Sequence, residues 1–183
     1  MLVTGIGETV DEYDDIVPCI IGYVGTSKVK LGVTESDISV DNLDIVSSLN
    51  ARRNALTDLK FGDVITYSTN VKGKINGVRV LYTSADNEWS VFEKMNVTYD
   101  DAYSNIGVVT GTVKDVQSDA LIYETANSKT RLASISDGTP VLAVNLQTEK
   151  VEKISAASLE IGENILIRTN YGSRYTRVVI VFR

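Results

Sequence analysis

The 183-residue chain, with 43% hydrophobic and 23% charged residues, is long enough for one large domain or two small ones and too apolar for wholesale disorder. Its 24 acidic residues outnumber 18 basic ones, and the basic residues are scattered, Arg52-Arg53 being the one adjacent pair. Duplex binding draws on clustered Lys and Arg, so this balance argues against nucleic acid as a partner. With no His and only Cys19 as a thiol, the composition leaves no intrachain disulfide, no conventional zinc, copper or haem site, and no Cys–His or Ser-His-Asp catalysis.

In chain order, Met1-Leu2-Val3-Thr4 leads straight into strand-like sequence, without the basic and long apolar regions of a signal peptide. Met1 is either a natural start or the first residue of a piece cut from a longer chain. The acidic cluster Asp11-Glu12-Tyr13-Asp14-Asp15 comes next. Cys19 sits in the apolar run Ile16-Val17-Pro18-Cys19-Ile20-Ile21 and reads as a small buried hydrophobe. Ser27-Lys28-Val29-Lys30-Leu31 follows as a basic–apolar strand. Helix is scarce, and its best candidate lies within residues 43–59.

Period-two alternation then takes over. Ile65 and Tyr67 form the apolar face of one strand, and Val78, Val80 and Tyr82 that of the next. Asn70-Val71-Lys72-Gly73-Lys74 between them carries Asn and Gly at hairpin positions. Residues 84–104 form a connector, in which Trp89 and Phe92 are expected to plug the flanking modules together. The connector also holds Asn96-Val97-Thr98, which matches the glycosylation triplet at a level close to chance, and a second acidic cluster, Asp100-Asp101, beside Tyr99 and Tyr103. No apolar run is long enough to cross a membrane as a helix.

The chain then says much the same thing again, about 100 residues later. Leu59-Lys60-Phe61-Gly62-Asp63-Val64-Ile65 is matched by Leu159-Glu160-Ile161-Gly162-Glu163-Asn164-Ile165, with Thr69-Asn70 matched by Thr169-Asn170. Carried on without a gap, the match sets Val78, Val80 and Tyr82 against Val178, Ile180 and Phe182. Upstream, Leu2-Val3-Thr4-Gly5 resembles Val108-Val109-Thr110-Gly111, and Ser27–Leu31 resembles Ser128–Leu132. Repetition of this kind implies a duplicated supersecondary unit. The expected fold is all-β with little helix: two tandem small β-barrel or sandwich modules, residues 1–83 and 105–183, joined by the connector 84–104. The alternation predicts Ile65, Tyr67, Val78, Val80, Ile165, Ile167, Val178 and Ile180 buried, with Arg79, Arg168 and Arg177 facing solvent.

The repeated Leu-x-x-Gly-Asp/Glu-x-Ile signature has a structural explanation. Leu anchors the core, Gly supplies a bend, and the acid accepts hydrogen bonds from turn amides. Oxygen-rich loops are also what calcium requires, but neither acidic cluster has the spacing of a calcium loop with its central Gly and terminal Glu. No phosphate loop, nucleophile elbow or aromatic-lined cleft beside paired carboxylates is present. No catalytic residue, cofactor site or metal site is therefore assigned.

Leu59–Ile65 followed by Gly73-Lys74-Ile75-Asn76-Gly77-Val78-Arg79-Val80-Leu81-Tyr82 resembles modules of large surface proteins of Gram-positive bacteria, of the type that carries S-layer homology or stalk domains. Ala102–Val113 is similar to the way such a module begins, and Val151–Gly162 to the way one enters its last hairpin. The anchoring S-layer homology motif itself is missing. The resemblance implies a non-catalytic spacer of an extracellular, cell-surface protein, with other copies or neighbouring domains as partners. It also favours Met1 as a cut point within a longer chain. A self-assembling phage or filament subunit is the alternative from another class. A wall-glycan module with Tyr13, Tyr23, Trp89, Tyr99 and Tyr103 as stacking residues is the third reading.

Overall fold

A computed structural model of the chain describes residues 1–34, 38, 40–42, 56–83, 108–125, 128–169 and 175–183. Trp89, Phe92, Asn96, Tyr99, Asp100, Asp101 and Tyr103 lie outside the described residues, as does most of the helix candidate. The chain divides into two compact units, Met1–Asn87 and Glu88–Arg183.

The first unit holds β1 (Leu2–Val10), β2 (Ile16–Val24), β3 (Ser27–Gly32), β4 (Val40–Asn42), β5 (Val64–Thr69) and β6 (Ile75–Tyr82). They form one sheet in the order β3-β2-β1-β5-β6-β4, antiparallel except for the β4–β6 pair. A 3-10 turn, Leu56–Asp58, stands where the helix candidate ends. The apolar face gathers Val3, Ile20, Val33, Ile38, Val40, Leu56, Leu59, Ile65, Ile75, Val78 and Val80 into one core. Cys19 is fully buried, as its apolar surroundings imply.

The second unit holds β7 (Val108–Val116), β8 (Ala120–Glu124), β9 (Thr130–Ser134), β10 (Val141–Asn145), β11 (Lys150–Ile154), β12 (Asn164–Thr169) and β13 (Thr176–Phe182). Its sheet runs β11-β10-β13-β12-β7-β8-β9. Read from β9, this is the first sheet's order with one strand, β11, added beyond β10, and the β10–β13 pair is again parallel. A 3-10 turn, Ala156–Ser158, precedes the Gly-acid signature as one does in the first unit.

The fold is all-β, but neither sheet closes into a barrel. Each curls until the chain leaving its third strand touches the start of the last hairpin strand, Val33 bridging Ile75 and Ser134 bridging Tyr175. One bridge is not a ladder, so both sheets stay open along that seam among the described residues.

Two expected registers are corrected. In the first hairpin Thr69 pairs with Ile75, whereas in the second Thr169 pairs with Thr176, a loop longer by one residue. Tyr67 therefore faces Val78, but Ile167 faces Val179 rather than Val178. A one-residue slip exchanges faces, so Val179 and Val181 enter the core, Val178 is half-buried, and Ile180 is buried on the opposite face. Tyr67 and Arg168 are also intermediate in exposure, while Arg79 and Arg177 face solvent. The opening strands are offset too. Gly62 N–H donates to Val3 O and Val3 N–H to Asp63 O, and the same exchange links Gly162 and Glu163 to Val113, not to Val109.

Candidate functional site

The Gly-acid turn is the most regular constellation in the molecule. Gly62 and Gly162 hold φ of 88° and 94°, a left-handed conformation that only glycine adopts without strain. The acid that follows folds back on the turn: Lys60 N–H donates to Asp63 Oδ2 at 2.8 Å, and Glu160 N–H to Glu163 Oε2 at 2.8 Å. Asp63 is fully buried. Glu163 also accepts from Arg183 Nε at 2.6 Å, which raises the guanidinium further above its ordinary range. Leu59 and Leu159 anchor the two cores just upstream. The signature is thus spent on shaping and fastening the strand entry in both units.

The acidic cluster forms the β1–β2 loop. Asp11 organises it, Oδ1 accepting from the N–H groups of Tyr13 and Asp15 at 2.9 and 3.0 Å. Its Oδ2 accepts from Lys74 Nζ at 2.6 Å. That lysine bond and the loop amides hold the Asp11 carboxyl at about 2, below the ordinary 3.8. Asn70 shapes the facing β5–β6 turn in the same way, its Oδ1 accepting from the N–H groups of Lys72 and Lys74. Lys72 Nζ donates to the Tyr13 hydroxyl at 2.7 Å, lies 4.5 Å from the ring centroid and 3.4 Å from Glu12 Oε1. Its pKa is raised, chiefly by the Tyr13 bond. The two hairpin tips are therefore stapled by lysines.

An ammonium already occupies the Asp11 oxygen that a cation would need, and no group of three or more metal-ligating side chains is assembled among the described residues. Tyr13 and Tyr23, the described members of the expected stacking set, lie beyond one end and near the other end of β2. At ~3.3 Å per residue the strand keeps them more than about 20 Å apart. No single ligand ring stacks on both.

A further feature lies on the β5–β6 hairpin. A shallow depression of about 300 Å³ is lined by Thr66, Tyr67, Ser68, Gly77, Val78 and Arg79. Ser68 Oγ donates to Asn76 Oδ1 at 2.7 Å beside it. Sequence reading did not single out this patch, nor the lysine staples, because both depend on contacts between distant segments. The one local signal was the Asn-x-x-Gly turn that aims Lys72 and Lys74.

Comparison with protein-family models, with curated proteins and with solved structures finds no match to the chain.

Proposed function

We propose that this chain is a non-catalytic structural spacer of an extracellular surface or S-layer-like protein, built from two tandem β-units that arose by duplication. The observation that carries this reading is the use of the repeated signature. In both units its Leu is core, its Gly is a left-handed bend, and its acid fastens the turn. Asp11 and Glu12 of the acidic loop likewise pair with Lys74 and Lys72 of the β5–β6 turn, which suits an exposed scaffold better than a binding cleft. Neighbouring domains or further copies are the partners this reading implies. Brief protease treatment of intact source cells tests it: peptides of this chain are expected in the released fraction. Their recovery only after lysis overturns the surface assignment.

A self-assembling subunit of a phage or filament is the second reading, favoured by sheets that stay open, with β3 and β9 at corresponding edges. Sedimentation of the purified chain separates the two, a spacer staying monomeric over a concentration range in which a filament subunit polymerises.

A further inference from the structure

The last hairpins of the two units share an irregularity. In the first, Ser68 pairs with Gly77 and Thr69 with Ile75, so Asn76 has no ladder partner of its own. In the second, Arg168 pairs with Val178 and Thr169 with Thr176, which leaves Arg177 in the same position. Such a bulge breaks the ladder locally and releases the extra residue from regular strand geometry. The bulge is common to both units, but the residues on it are not. The first unit places Asn76 on it with Gly77 next, the one Asn-Gly pair in the sequence.

Three features make that pair reactive. Asn76 is exposed, so water reaches its side chain. Ser68 Oγ donates to Asn76 Oδ1 at 2.7 Å. That bond draws electrons from the side-chain carbonyl carbon and sits where negative charge develops when the carbon is attacked. Gly77 presents a backbone nitrogen with no side chain beside it, and a Cβ there would lie 2.8 Å from the Ser68 hydroxyl and displace it. Asn70, in the same hairpin, is arranged against this chemistry. Its Oδ1 is held by the N–H groups of Lys72 and Lys74, and β-branched Val71 crowds the nitrogen that follows it.

We propose that Asn76-Gly77 is a site of spontaneous modification, at which Asn76 becomes an aspartyl or isoaspartyl residue with Ser68 as the activating hydroxyl. The Gly77 nitrogen gives its proton to water and bonds to Asn76 Cγ, an attack that proximity within the chain favours. The Cγ–Nδ2 bond then breaks, the departing nitrogen takes up a proton, and ammonia leaves a five-membered succinimide. Water opens that ring at either carbonyl. Opening at Cγ restores the ordinary backbone, whereas opening at the backbone carbonyl routes the chain through the former side chain and lengthens it by a methylene. In sum water is consumed and ammonia released with no change of oxidation state, and both products set a new carboxylate beside Ser68. The bulge suits the longer product, because the added methylene enters where pairing is already interrupted.

The test incubates the intact chain at mildly alkaline pH and follows it by brief trypsin digestion and mass spectrometry, against a sample taken at the start. Cleavage after Lys74 and Arg79 isolates residues 75–79 in one peptide. That peptide should acquire the mass of a carboxyl in place of an amide and split into two chromatographic species. The peptide of residues 61–72, which holds Asn70, should stay unchanged. Ser68→Ala, at an exposed position, should slow the conversion about tenfold in the folded chain. In urea, where the hydroxyl is no longer held against Asn76, the same substitution should have no effect. Conversion at Asn76 with a Ser68 effect confined to the folded chain establishes the site. An unmodified 75–79 peptide, equal rates for the folded parent and Ser68→Ala, or a slowing that persists in urea overturns it.

Discussion

β5 and β12 enter their sheets by the same device and then meet different surroundings. Each follows a buried Leu, a left-handed Gly and an acid that closes the turn, and each turns back in a hairpin. Beyond that point β12 is held on both sides, and its residues 165–167 are buried on both faces. β5 pairs with β6 along its length, and its Thr66, Ser68 and Thr69 stay in water. The side chains record the difference. β12 carries Ile-Leu-Ile where β5 carries Ile-Thr-Tyr, an alternating strand against a continuous apolar one. Alternation marks a strand with one wet face and a continuous run marks a strand with none. Two segments that look like copies at their entry therefore encode different neighbourhoods within three residues.

The largest effect that tests this contrast is core truncation. Ile167→Ala removes a fully buried side chain and is expected to cost about 2–5 kcal/mol in urea denaturation followed by circular dichroism. Tyr67→Ala, at a half-buried position, should cost clearly less. Equal losses would remove the distinction between the strands.

The turn acids come next. Asp63→Ala removes a fully buried carboxylate and leaves the Lys60 N–H without its acceptor, and it should cost about 1–3 kcal/mol. Glu163 is less enclosed, so water can replace it, and Glu163→Ala should cost less than Asp63→Ala by the same measurement. A larger loss at Glu163 would mean that its Arg183 contact, rather than the turn, is the main fastening.

Gly162→Ala isolates the backbone term. A Cβ there meets nothing within 4 Å, so the expected loss of about 1–2 kcal/mol comes from the left-handed φ alone. No loss on a thermal melt would mean that the turn relaxes and that the shared strand entry is not a constraint.

The smallest effect is electrostatic and confined to the first unit. The folded pKa of Asp11 is depressed from 3.8 to about 2, so the folded chain takes up this proton less readily than the unfolded one. Its contribution is therefore complete above the unfolded value and lost as pH falls from 3.8 toward 2. Melting temperature followed across that window should fall less steeply in Asp11→Asn than in the parent chain. An unchanged slope would show that the Lys74 staple does not persist in solution.

Much of the architecture was legible in the residues. Alternation at Ile65 and Tyr67, the Asn70–Lys74 turn and the Gly-acid signature identified an all-β chain and located both last hairpins. The failures have physical causes. Val178–Phe182 is apolar at every position, so no face is marked, and a loop one residue longer passed unseen through an ungapped comparison. Leu2–Gly5 and Val108–Gly111 look alike because both are β-branched strand sequence, yet the turn hydrogen bonds pair Val3 with the role of Val113. β11 was missed because Lys150–Ile154 carries charges on an edge that needs little apolar character. The Asp11 cluster offered oxygen ligands on paper, but the lysine that occupies it lies 63 residues away, beyond any local pattern.

A charge placed at one matched position of each strand tests the central contrast most directly. The account predicts that Thr66→Lys, at an exposed position, leaves the melting temperature of the first unit within a few degrees, whereas Leu166→Lys, at a fully buried one, unfolds the second unit. Equal losses from both substitutions would contradict it, because β5 would then have no wet face.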